Sequence, residues 1–179
     1  MIDRLPLRHG DTKSAREFSA SGVALLEHLR GLVYGKKVAL VGVGNRNRGD
    51  DAFGSILAER VKSGVNLTSI DCEELPENFT SVIRQAEPEL VIFADTLDFG
   101  GRPGEAVLVA PSTLTEDRFS THRPSLRLVM DFVAKDTGAD VRLLGVQPRS
   151  IEPALAMSPE VEETLNNLIN LFTILAQTA

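Results

Sequence analysis

Residues 37–61 read KVALVGVGNRNRGDDAFGSILAERV, and the fold follows from how this stretch divides. Residues 37–43 form a continuous, largely β-branched apolar run ending at glycines. That is the signature of a strand buried on both faces of a parallel sheet. Residues 50–61 then place Phe53, Ile56, Leu57 and Val61 on one helical face, and Gly64 is positioned to end that helix. The turn between them carries Gly42, Gly44, Gly49 and a pair of acids, Asp50 and Asp51.

The same alternation continues downstream. Residues 66–70 read as a second strand ending at Asp71. Pro76 opens a helix with Phe79, Val82, Ile83 and Ala86 inward, and Pro88 stops it. Residues 90–94 (LVIFA) form a third buried strand ending at Asp95. Strand, helix, strand, helix, strand is the rhythm of a doubly wound α/β sheet. The rhythm breaks at residues 105–110 (EAVLVA), a strand only nine residues beyond the previous one across Gly100, Gly101, Pro103 and Gly104. A parallel crossover needs roughly a dozen residues. This fourth strand is therefore expected to run antiparallel to the third and to pair with it. After a loop, Pro124 opens a helix with Leu126, Val129, Met130 and Val133 inward. Residues 141–146 (VRLLGV) are the fifth strand. Ser158 and Pro159 start a last helix carrying Val161, Leu165, Leu168, Ile169 and Phe172 inward. Upstream, residues 1–11 read as an irregular arm containing His9. From about residue 12 to 33, Phe18, Gly22, Leu25, Leu29 and Leu32 recur at helical spacing, with His28 bordering the stripe. The expected fold is a single-domain mixed five-stranded sheet, mostly parallel, with helices on both faces, strand 4 antiparallel and an extra N-terminal helix.

Composition excludes several function classes. The net charge of −6 argues against nucleic-acid binding, which wants a basic face. The single cysteine, Cys72, allows neither an internal disulfide nor a cysteine-rich zinc site, and reads as a small buried residue in a reducing compartment. The N-terminus has no apolar stretch of signal-peptide length, and no run approaches ~18 apolar residues. The expectation is a cytoplasmic protein without membrane insertion.

Ligands of open α/β sheets bind outside the C-terminal strand ends. There the sequence gathers Asp50 and Asp51, Asp71, Asp95 and Asp98, and Gln147-Pro148-Arg149; His122 lies in the loop after the fourth strand. Asp50 as a helix N-cap and Asp51 as a first-turn acid would be ordinary. Two acids exceed what a cap needs, and with Asp95 beside them three carboxylates share one crevice. Something positive should relieve them, either a metal or an arginine such as Arg48 or Arg149. An isolated loop histidine is ordinarily a surface residue. The case for His122 is that Pro124 fixes its loop and that the preceding strand pairs with the third. Carboxylates plus an imidazole suit a divalent first-row metal. Gly42 and Gly44 also match the first two positions of a dinucleotide fingerprint, with Asp71 as the ribose-binding acid. Its third position is Asn47, and the acids at the helix start would repel a pyrophosphate. Neither H-E-x-x-H nor G-x-S-x-G is present.

The segment GVGNRNRGDDAFG (42–54) resembles the signature of hydrogenase maturation endopeptidases. The resemblance continues in register through Leu75-Pro76-Glu77-Asn78, the strand ending at Asp95, Pro103-Gly104, Ser120-Thr121-His122, Leu144 to Pro148, and Met157 to Val161. It spans roughly residues 37–172, which divides the chain into an N-terminal arm and helix (1–35) and a protease-like domain (36–179). The chain departs from the family pattern at Arg46 and Arg48, where apolar residues are usual, and at Ala52, where glycine is common. The resemblance implies an aspartic-type hydrolase whose metal-contacting set is Asp51, Asp95 and His122; for the chemical step the sequence leaves open Asp50 or Asp51 as base toward an attacking water and polarisation of the carbonyl by the metal. The implied partner is a [NiFe] hydrogenase large-subunit precursor, cut at its C-terminus once nickel is inserted. The nickel is carried by the substrate, and no tightly bound cofactor is implied. A non-catalytic nickel-dependent assembly factor and a nucleotide-binding α/β enzyme are the alternatives.

Overall fold

The computed structural model describes residues 18–19, 22–114 and 125–177. In chain order the elements are β1 (Phe18–Ser19), α1 (Gly22–Val33), β2 (Val38–Gly42), α2 (Phe53–Arg60), β3 (Leu67–Asp71), α3 (Thr80–Gln85), β4 (Leu90–Thr96), β5 (Ala106–Val109), α4 (Ser125–Thr137), β6 (Asp140–Val146) and α5 (Pro159–Gln177). Short 3-10 turns, Gly49–Ala52 and Pro76–Phe79, lead into α2 and α3.

The strands form one sheet in the order β1-β5-β6-β4-β2-β3. β3, β2, β4 and β6 are mutually parallel, while β5 runs antiparallel to β6 and β1 antiparallel to β5. Period-two alternation sorts the strand residues onto two cores. On one face Val38, Leu40, Leu90, Ile92, Ala94, Leu144 and Val146 pack with Leu25 and Leu29 of α1, Phe53 and Leu57 of α2, and Leu165 and Phe172 of α5. On the other, Ala39, Val41, Val91, Phe93, Val141 and Leu143 pack with Ile83 of α3 and with Leu126, Met130 and Val133 of α4. Helices therefore cover both faces, and the mixed α/β architecture is the one expected.

Four details differ from the sequence reading. Phe18 belongs to a strand and not to the first helix, which begins at Gly22; β1 satisfies backbone groups that the outer edge of β5 would otherwise leave unpaired. β5 does not pair with β4. β6 lies between them: its longer run makes a seven-residue parallel register with β4, leaving the four-residue β5 nearer the edge. The connection from β4 crosses over the end of β6: Leu97 N donates to Val146 O at 2.9 Å and Gly104 N to Gln147 O at 2.9 Å. Gly104 takes φ 81° there, with the Glu160 carbonyl oxygen only 2.5 Å from where a Cβ would sit. Val82, expected inward, is 42% exposed, since only Ile83 of the short α3 faces the sheet fully. Finally, β4 runs two residues further than expected, through Asp95 and Thr96.

The topology places a switch point at β2. The chain leaves β2 toward β3 on one side and returns to β4 on the other, so the crevice beyond the ends of β2 and β4 is where an open α/β sheet binds its ligand.

Candidate functional site

The segment after β2 is folded tightly onto that crevice. Val43 N donates to Ala94 O at 2.9 Å, tying it to β4, and Gly44 N donates to Glu73 O at 2.8 Å, tying it to the end of β3. The segment then closes on itself. Asn45 N donates to Asp51 O at 3.1 Å, Arg48 N to Asn45 O at 3.1 Å and Asp51 N to Arg48 O at 3.0 Å. Glycine is required where α2 meets the sheet: a Cβ on Gly54 would lie 1.9 Å from the Ala94 carbonyl oxygen. A Cβ on Gly42 would in turn meet Gly54 O at 2.1 Å, and one on Gly44 would meet Asp51 O at 2.1 Å. The glycines that mimic a dinucleotide fingerprint thus allow chain to pack on chain, not chain on pyrophosphate.

This packing brings two acids together. Asp51, at the head of α2, and Asp95, at the end of β4, are 4% and 3% exposed. Asp51 Oδ1 accepts the Thr96 hydroxyl at 3.2 Å and Oδ2 accepts Asn45 N at 3.2 Å; Asp95 Oδ1 accepts Thr96 N at 2.8 Å. The sequence reading overlooked Thr96. Its only local signal was an Asp-Thr pair at a strand end, a common site for side chain to backbone hydrogen bonds. His122, the third member of the expected set, lies outside the described residues. Among the described residues no three His, Cys, Asp or Glu side chains form a metal-binding group.

Asp50 is placed differently. It is 1% exposed and faces away from its own helix, toward the 148–158 segment. Oδ2 accepts Arg149 N at 2.7 Å, Ser150 N at 3.1 Å and Ser158 Oγ at 3.0 Å, while Oδ1 accepts Ser158 N at 2.6 Å. Asp50 makes no N-cap hydrogen bond to α2. Instead it sits at the start of α5, where the helix dipole favours an anion. Gly49 N to Leu155 O and Ala154 N to Asn47 O complete the join between the two segments.

Neither arginine expected to relieve the acids makes that contact. The Arg48 Nε donates to Ile151 O at 3.2 Å, and the Arg149 guanidinium pairs with Glu160 in the first turn of α5. Glu160's own backbone N–H and Arg149 hold that carboxyl below the usual glutamate value. Arg46 instead bridges α2 and β3, donating to Ser55 Oγ at 2.9 Å, Glu59 Oε2 at 2.5 Å and Asp71 Oδ2 at 2.5 Å. Asp71, the candidate ribose-binding acid, is therefore held by Arg46 on one oxygen and by Glu73 N on the other. Asp98 lies outside the pair: its Oδ1 accepts Gly100 N and Gln147 Nε2. Cys72 is 1% exposed, and burial chiefly, with the nearby Asp71 and Glu77 charges, pushes its thiol up to about 12. A thiol so placed is no nucleophile near neutral pH. A cavity of about 130 Å³ lined by Val33, Tyr34, Lys36, Asn66, Leu67 and Leu175 sits at the opposite, N-terminal ends of β2 and β3.

Residues 53–174 match the sequence model of a family described as hydrogenase maturation protease. The hydrogenase 3 maturation protease of Escherichia coli K12 is 30% identical over 132 residues, covering 72% of this chain and 84% of that protein. The crystal structure of a [NiFe] hydrogenase maturation protease HycI from Thermococcus kodakarensis superposes with a TM-score of 0.77 at 32% identity, covering 84% of this chain and 99% of that one. The solution structure of an endopeptidase HycI from Escherichia coli gives a TM-score of 0.69 at 29% identity over 76% of this chain and 89% of that one.

Proposed function

From the premise that the chain belongs to the hydrogenase maturation proteases, we propose that it is an endopeptidase that removes the C-terminal peptide of a nickel-loaded [NiFe] hydrogenase large-subunit precursor. The observation that carries this reading is the buried Asp51–Asp95 pair at the sheet's switch point, supplied by two different strand ends and joined through Thr96. Two oxygen donors there suit a divalent first-row ion presented by a substrate, and His122 would add a nitrogen. In this reading Asp51, Asp95 and His122 reach toward the precursor's nickel. Docking there orients the scissile peptide in the crevice, so positioning supplies much of the rate.

A carboxylate acts as base toward the attacking water, or the substrate's metal polarises the scissile carbonyl. Asp51 fits the base role better than Asp50, whose two oxygens already accept four donors from residues 149–158. We assign the protease-like unit to residues 36–179, with α1 from the preceding segment packed into the same core. No helix among the described residues is long and apolar enough to cross a membrane, and we place the activity in the cytoplasm with its substrate.

The test mixes purified protein with the large-subunit precursor, with and without nickel, and reads the product mass. Loss of a short C-terminal peptide only from the nickel-loaded form is expected, and Asp95→Ala or His122→Ala should each abolish it while the fold persists. Stable binding without cleavage would instead indicate an assembly factor. Full activity in either variant would remove that residue from the mechanism.

A further inference from the structure

We infer that Thr96 is a positioning residue for the cleavage: one side chain and its own amide set the orientation of both site carboxylates. The role rests on the endopeptidase reading. Thr96 closes β4 and is 2% exposed. Its backbone is fixed by register with Val146 of β6, and the next amide, Leu97 N, donates to Val146 O at 2.9 Å. From that anchored position the Thr96 amide donates to Asp95 Oδ1 at 2.8 Å and the hydroxyl donates to Asp51 Oδ1 at 3.2 Å. A threonine hydroxyl carries one proton, and β-branching restricts its χ1, so the direction of that donation is set by the strand. Asn45 N holds the other oxygen of Asp51. The Asp51 carboxylate is thus gripped on both oxygens by groups that do not depend on substrate.

Packing alone does not explain a hydroxyl here. Residues 90–94 of the same strand are Leu, Val, Ile, Phe and Ala, all fully buried, and a valine would fill the same volume without a polar group to satisfy. The hydroxyl is buried where a carboxylate needs a donor. Sites held to within ~0.5 Å are those whose supporting shell is itself locked, and misplacement by about 1 Å costs on the order of 100-fold in rate.

The closing experiment compares Thr96→Val, Thr96→Ala and Thr96→Ser with wild type in steady-state cleavage of the nickel-loaded precursor. The Thr96 hydroxyl meets a site carboxylate, so its loss should act at the reacting centre more than on precursor binding. Thr96→Val and Thr96→Ala should lower kcat by about 10- to 100-fold with KM changed less than about 2-fold. Thr96→Ser, which keeps the hydroxyl, should restore kcat to within about 3-fold of wild type. If Thr96→Val does not fold, the alanine and serine pair decides alone. Wild-type kcat in the valine or alanine variant overturns the positioning role. So does a serine variant as slow as the alanine one, since only the methyl would then matter. A wild-type protein that leaves the precursor uncut removes the endopeptidase reading and this role with it; a wild type that cuts, beside a valine variant that cuts equally well, removes only the role of Thr96.

Discussion

Replacing Asp50 by asparagine separates a structural clamp from a catalytic base. The carboxylate accepts three donors on Oδ2 and one on Oδ1, all from residues 149–158, and is 1% exposed. In Asp50→Asn the amide oxygen can keep the three-donor side. The amide NH2 must then face Ser158 N, donor against donor, at a site where the present separation is 2.6 Å. One charge-assisted hydrogen bond is lost, and the other three drop to neutral strength, about half as strong. The sum is a destabilisation of about 2–4 kcal/mol. For a chain of this length that is a fall in Tm of about 5–15 °C. Equilibrium denaturation would read the stability, and hydrogen exchange would read loss of protection at the amides of Arg149, Ser150 and Ser158. Cleavage assayed well below the lowered Tm should persist if, as proposed, the reacting carboxylates are Asp51 and Asp95. An Asp50→Asn protein within about 0.5 kcal/mol of wild type, with those amides still protected, would refute the clamp. Intact stability with cleavage reduced by orders of magnitude would restore Asp50 as the base.

Two further outcomes follow from buried geometry. Cys72 should resist iodoacetamide in the native protein and react fully in denaturant, with no effect of the reagent on cleavage. Because its folded value of about 12 lies above the ordinary 9.0, the stability it contributes is whole below pH 9.0 and is lost as pH rises toward 12, which a denaturation series across that window would register. Gly54→Ala should leave little folded protein, since its Cβ would lie 1.9 Å from Ala94 O and 2.3 Å from Val43 O, both backbone atoms, for a cost above about 3 kcal/mol; a soluble variant with wild-type Tm would contradict the close approach of α2 to β2 and β4.

Local pattern in the sequence determined the strands and helices apart from β1, whose Phe18 read as part of the first helix. Short apolar runs bounded by glycine or proline and helical stripes both reflect which residues are buried, and both are visible one segment at a time. It also determined that Asp51 and Asp95 stand at strand ends, and that the nine residues 96–104 are too few for a parallel crossover. The order of strands was beyond it. β6 entered between β4 and β5 because sheet neighbours are chosen by burial and length over the whole chain, and neither strand's own residues reveal its neighbour. The fates of the polar residues were likewise tertiary. Asp50 looked like a cap or a base until the fold brought Ser158, 108 residues away, against it. Arg46 and Asp71, 25 residues apart, became an ion pair, and Thr96 met Asp51 across 45 residues. A side chain's chemistry shows in its letter, but its hydrogen-bond partner is whatever the packed core delivers within about 3 Å.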